Sequence, residues 1–189
     1  EKGIIGKGIT ANVPEKRFLG FLWKTQEASK HTAYVSSNTD DLIDLHRFIT
    51  DNASVEYSYQ QFQNTNTGNS VGILATDYEK SSVGFGNVIG AKLLLKNPNL
   101  IMTKDRHNHP RGTKVASGFT LHGAKYEWVP FGKDGDRGHY EQFQELFPGR
   151  IPSTFDIIVP NSSDRVIYNA DTMKVIKIST GQLEIQGIN

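Results

Sequence analysis

The stretch "IMTKDRHNHPRG", residues 101–112, sets His107 and His109 two positions apart and follows them at once with Pro110. On an extended strand, side chains at i and i+2 point to the same side, so two imidazoles there can aim at one point. Proline then ends the regular ladder. Imidazole nitrogen is a zinc donor, and because the chain has no cysteine, the remaining donors must be oxygen or further imidazole. A hydrolytic zinc takes three protein ligands and keeps its fourth position for water. Two histidines therefore lack one ligand. The competing reading needs no metal: His107 is a surface strand residue near Asp105 and Arg106, and His109 bonds a loop carbonyl.

Asp136 leads the candidates for the third ligand. In "GKDGDRGHYEQF" a glycine-bearing turn delivers it at the start of a helix, where an aspartate would also serve as a cap without any metal. Asp134 and His139 are close enough in sequence to compete, while His122, in "FTLHGAKYEWVPF", sits in what reads as an inserted hairpin. Hydrolysis also needs a base beside the attacking water. Glu56 and Glu79 lie upstream. Glu79 belongs to the polar turn "TDYEKSS", whereas Glu56 sits between Val55 and Tyr57 in a strand-like segment. A carboxylate buried there is costly unless used or paired.

The elements that must position these residues are legible along the chain. The 189 residues fit one domain, with residues 1–34 reading as a glycine-punctuated extension or linker and 35–189 as the domain itself. Lys and Arg number 21 against 20 Asp and Glu, so no global charge favours nucleic acid or an anionic membrane. No apolar run reaches the roughly 20 residues of a membrane span. The amino end, broken by charge and glycine, does not read as a signal peptide. A helix near residues 40–50, with Asp or Ser as possible caps, presents Leu42, Leu45, Phe48 and Ile49 on one face. "SVEYSYQQFQ" and "SVGILATDY" read as strands of a hairpin around "NTNTGN". A helix from Val88 to Lys96 then leads into the strand that carries the histidines. "RGHYEQFQELF" is a third helix whose Tyr140, Phe143 and Phe147 form a core stripe, and "FDIIVP", "RVIYN" and "MKVIKI" are later strands. This order predicts an α/β (α+β) sandwich, a mixed and mostly antiparallel twisted sheet flanked by helices. Leu74, Leu93, Ile101, Ile157 and Val159 are its expected core.

Taken together, "ASVEYS", "LIMTKDRHNHP", "VASG" and "GDRG" resemble the glutamate, His-x-His-Pro strand end, serine and aspartate of the JAB/MPN (JAMM) metallopeptidases. Within that family the chain is most similar to the JAB-like domains of Rhs-type and other bacterial polymorphic toxins. The resemblance implies a JAB/MPN-like (cytidine-deaminase-like) sandwich in which His107, His109 and Asp136 bind Zn2+. It implies that Glu56 is the general acid/base and that Ser117 helps hold the oxyanion. The reaction would be hydrolysis of a peptide or isopeptide bond in a protein or peptide substrate. The biology would be that of a domain secreted within a larger effector, acting in the target-cell cytoplasm and neutralised by a cognate immunity protein. The chain departs from the family pattern downstream, where the aspartate usually follows the serine by three residues and this sequence has Thr120. A metal-dependent nuclease resembling HNH toxins is the alternative enzyme, with Arg106, Arg111 and Lys114 available to phosphates. It fits less well, since the HNH elements are normally spread over a ββα scaffold. A catalytically inactive JAB-like interaction module would keep the histidines and need neither Glu56 nor Ser117.

Overall fold

The computed structural model describes the backbone of residues 7–13, 16–18, 23–26, 29–77, 84–108, 116–121, 124–127, 136–158, 160–161, 165–169, 171, 174–179 and 182–187, with side chains chiefly for 32–77, 86–108 and 140–158. Strands β1 (Lys7–Val13), β2 (Lys16–Phe18), β3 (Trp23–Gln26) and β4 (Ser29–Ser36) precede helix α1 (Thr39–Asn52). Then come β5 (Ser58–Asn64), β6 (Ser70–Thr76), α2 (Gly84–Lys96) and β7 (Leu100–Asn108). β8 (Ala116–Leu121) and β9 (Ala124–Glu127) lead to α3 (Asp136–Leu146). The last strands are β10 (Thr154–Ile158), β11 (Arg165–Asn169), β12 (Lys174–Ser179) and β13 (Gln182–Gly187). Nine strands form one sheet in the order β1-β4-β6-β5-β7-β10-β11-β12-β13. Within it β7 and β10 run parallel and the other neighbours antiparallel. The architecture is thus the mixed, mostly antiparallel α+β sheet expected. β8 and β9 pair apart from it, as the hairpin expected before Asp136, although Ser117 lies within β8 itself.

The strand period sorts the core into two layers. Tyr59 of β5 and Leu74 of β6 point to one face and pack with Leu42 of α1. Phe62, Ile73 and Ala75 point to the other and pack with Ala33, Leu94, Met102, Phe143 and Phe147. α1 covers the first face; α2 and the aromatic stripe of α3 cover the second. Gly86 and Gly90, one turn apart, let α2 lie close on β5, because a Cβ at either would collide with Ser58 Oγ or Gln60 Oε1. That contact explains why α2 starts at Gly84, before the expected Val88: packing outweighs the poor helix propensity of glycine.

Three expectations need correction. The α1 cap is Asn38, not Asp or Ser: its carboxamide oxygen accepts from the Asp41 amide at 3.4 Å, and its Nδ2 donates to the Asp41 carboxylate at 2.7 Å. Phe48 is 65% exposed, because the stripe that α1 turns to the sheet is Leu42, His46 and Thr50, while Leu45 and Ile49 pack only partly. Thr50 is tolerated there because its hydroxyl donates to the His46 carbonyl at 2.7 Å. In the core, Leu74 and Ile157 are buried as expected, but Leu93 and Ile101 are half-buried; Val159 lies outside the described residues. Met102, not Ile101, takes the core position opposite Phe62, and just beyond it β7 is irregular. Phe62 pairs with Met102 but Gln61 pairs with Lys104, so Thr103 is an extra residue, a β-bulge.

Candidate functional site

The bulge decides what the end of β7 presents. With an uninterrupted strand, Met102, Lys104 and Arg106 would share the face covered by α2 and α3. The extra residue shifts the phase, so Met102 is followed on that face by Asp105 and His107. Arg106 goes to the opposite face, where it pairs with Asp156 at 3.5 Å. His107 is accordingly 3% exposed and is not the surface residue of the metal-free reading. Its Nδ1 lies 3.1 Å from Glu56 Oε1, its Nε2 lies 3.8 Å from Asp105 Oδ1, and its ring meets Phe155 edge-on at 4.7 Å. Phe155 in turn contacts Tyr140 of α3 at 6.1 Å between ring centroids.

Glu56 is as deeply buried as His107, at 3% exposure. It does not lie in a strand, as the alternation implied, but in the short segment before β5, which needs other means of support. Thr76 Oγ1 donates to the Glu56 carbonyl at 2.8 Å. The Tyr57 amide donates to Asn108 Oδ1 at 2.6 Å, and the Asn108 amide donates back to the Tyr57 carbonyl at 3.2 Å. Asn108 Nδ2 reaches the Val55 carbonyl at 3.5 Å. Fully buried between the two histidine positions, Asn108 thus clamps the residues on either side of Glu56. Sequence reasoning passed over it. The available signal was its alternation with His107, which turns its side chain away from the imidazoles.

Across the sheet, fully buried His46 faces Tyr59, with ring centroids 6.2 Å apart, and neither of its nitrogens makes a hydrogen bond of good geometry. Burial lowers its pKa from 6.5 to about 3, helped by the charges of Arg106, His107 and Arg47 and opposed by the neighbouring Tyr57 backbone. The ring is therefore neutral at physiological pH.

The structure brings together Glu56 and His107. It places Ser117 on β8 and makes Asp136 the first residue of α3, one turn before Tyr140. The side chains of Ser117, Asp136 and His139 fall outside the described residues, as do His109, Glu79, Arg111, Lys114, His122 and Asp134 altogether. Among the described residues no three metal-ligating side chains converge. The donor types nevertheless fit zinc, since imidazole nitrogen and carboxylate oxygen are its ligands in cysteine-free sites. A buried imidazole with one nitrogen, Nδ1, at hydrogen-bond distance from a carboxylate is also an arrangement that orients metal-binding histidines.

A mixed sheet between α1 and the α2/α3 layer, with a buried glutamate against the first histidine of a His-x-His-Pro strand end, defines a JAB-like domain. The model of the JAB-like toxin 1 family matches residues 34–141, more than half of the chain, and the chain belongs to that family. The matched span holds Glu56, His107, His109, Ser117 and Asp136. No curated protein and no solved structure matches the chain. Among the described residues no helix is long and apolar enough to cross a membrane.

Proposed function

We propose that this toxin domain is a zinc-dependent hydrolase that cleaves a peptide or isopeptide bond in a protein substrate of the target cell. The observation that carries the reading is the buried contact between Glu56 and His107, 51 residues apart in sequence and 3.1 Å apart in space. His107 and His109 would hold the metal with one carboxylate, for which the family resemblance offers Asp136. When bound, zinc would supply Lewis acidity to polarise the scissile carbonyl and bring the pKa of a water near neutrality. Glu56 takes the proton of the attacking water and returns it to the leaving amine. The Asn108 and Thr76 hydrogen bonds hold the Glu56 backbone so that its carboxylate need not reorganise during that transfer. Ser117 donates to the oxyanion as it develops.

Family membership also supports delivery within a secreted effector, action in the target-cell cytoplasm and protection of the producer by an immunity protein. Expression of residues 1–189 in a bacterial cytoplasm, with and without Glu56→Gln, tests the reading. Growth arrest by the natural chain and normal growth with the variant, at equal protein levels, is the expected result. Equal growth of the two strains would refute intoxication by this chemistry.

A further inference from the structure

Glu56 Oε1 stands 3.1 Å from His107 Nδ1, at hydrogen-bond distance. A neutral imidazole has one N–H and one lone pair, and a carboxylate accepts the N–H, so this contact puts the proton on Nδ1 and the lone pair on Nε2. On that second side lies Asp105, its Oδ1 3.8 Å from Nε2. The separation is too long for a hydrogen bond, and a carboxylate oxygen facing a lone pair is repelled by it. The two atoms do have nearly the spacing of two ligands on one cation: a tetrahedral zinc with nitrogen at about 2.0–2.1 Å and oxygen at about 2.0–2.2 Å holds those donors about 3.4 Å apart. Small side-chain rotations close the difference. Strand alternation sets Asp105 and His107 on one side of β7, and the bulge at Thr103 turns that side toward the α2/α3 layer. Asp105 is only 8% exposed there, and a dication between it and Nε2 would offset the cost of burying its carboxylate.

We propose that Asp105 is the carboxylate ligand of the metal site, in the place the family pattern gives to Asp136: its Oδ1 and His107 Nε2 hold the zinc between them, while Glu56 fixes the ring through Nδ1. The inference rests on the zinc reading above and changes its ligand set. His109, two positions further along the sequence, stays the remaining ligand, so "DRHNH" supplies all three donors from alternate residues. The sequence's own departure from the family fits this arrangement. Where the usual aspartate would follow the serine there is Thr120, so the carboxylate has to come from elsewhere. Glu56 Oε2 remains for the proton transfer, and Asp136 keeps its place as the first residue of α3.

Zinc affinity of the 189-residue chain, measured by competition with a chromophoric chelator, tests it with Asp105→Asn and Asp136→Asn beside the natural chain. Asp105→Asn should weaken zinc binding by more than about 100-fold, beyond the about 10- to 100-fold loss expected for a carboxylate that merely bonds a ligand. Asp136→Asn should leave the affinity unchanged. The melting temperature of the metal-free protein should not fall in Asp105→Asn, because a buried charge is removed, whereas added zinc should raise it in the natural chain and not in that variant. A loss of 100-fold or less in Asp105→Asn (roughly the range of an indirect partner) overturns the inference. So does affinity lost in Asp136→Asn and kept in Asp105→Asn, which returns the carboxylate to Asp136 and leaves the zinc reading intact. A zinc-soaked crystal of the natural chain decides without any variant. Anomalous scattering at the zinc edge should place the metal about 2.0–2.1 Å from His107 Nε2 and about 2.0–2.2 Å from Asp105 Oδ1; a metal on Nδ1, or one whose carboxylate ligand is Asp136, sinks the inference alone. If the natural chain binds no zinc, the zinc reading falls and this inference with it.

Discussion

His46 should make this domain acid-labile, by an amount that follows from its environment. Folded, the ring titrates near 3; unfolded, near 6.5. Between those values the unfolded chain binds a proton that the folded chain does not, so stability is complete above pH 6.5 and falls as the pH drops toward 3. At about 1.36 kcal/mol per pH unit, the loss comes to about 2 kcal/mol at pH 5 and about 5 kcal/mol once both states are protonated. Replacing the ring in His46→Leu removes this titration and keeps an apolar body of similar size under Tyr59. Urea unfolding of both proteins at pH 7.5 and pH 5.0 isolates the term, since carboxylates and other histidines contribute alike to both and cancel in the difference. The natural chain should lose about 2 kcal/mol more than His46→Leu over that interval, or about 4–8 °C in melting temperature for a chain of this length. Equal losses in the two proteins would refute the reasoning and mean that His46 is protonated in the fold or reached by water.

Asn108→Ala leaves the partly buried Tyr57 amide without its acceptor, so it should cost about 1 kcal/mol; hydrogen exchange at that amide should speed up about tenfold, whereas Asn108→Asp, which keeps the acceptor, should retain most of the protection. Arg150 donates to the carbonyls of Leu94, Asn97 and Leu100 at 2.8–2.9 Å and lies over Phe147, tying the end of α2 to the start of β7. Arg150→Lys keeps the charge but not the planar fork, and denaturant unfolding should show a loss of about 2 kcal/mol. Gly86→Ala drives a methyl group into Ser58 Oγ and should destabilise by about 1–2 kcal/mol despite alanine's better helix propensity; adding Ser58→Ala should recover most of that loss, a non-additivity that a double-mutant cycle reads directly.

Much of this molecule is written in local pattern. Alternation and the glycine-bearing turn are enough to specify the β5/β6 hairpin, because strand period and turn chemistry depend on residues a few positions apart. The apolar spacing of "TDDLIDLHRFITDN" and of Tyr140, Phe143 and Phe147 places α1 and the packed face of α3 for the same reason. The His-x-His-Pro motif that begins in β7 is legible too, and family resemblance names the distant Glu56 for the same site, but beside a metal-bound water; its direct contact with His107 is a finding of the structure. What local pattern could not determine is phase. Whether Asp105 and His107 or Lys104 and Arg106 face the helices depends on one extra residue at Thr103, and a bulge exists only relative to the strand it pairs with. The same holds for Asn108, whose partners lie about fifty residues away, and for His46, which periodicity marks as a helix residue but which only the docking of α1 on Tyr59 and Leu74 makes a buried neutral base. Sequence alone determined which residues are chemically able to act, since donor type and reach belong to each side chain; the tertiary structure decided which of them meet, because register, burial and dielectric are properties of the pair in contact.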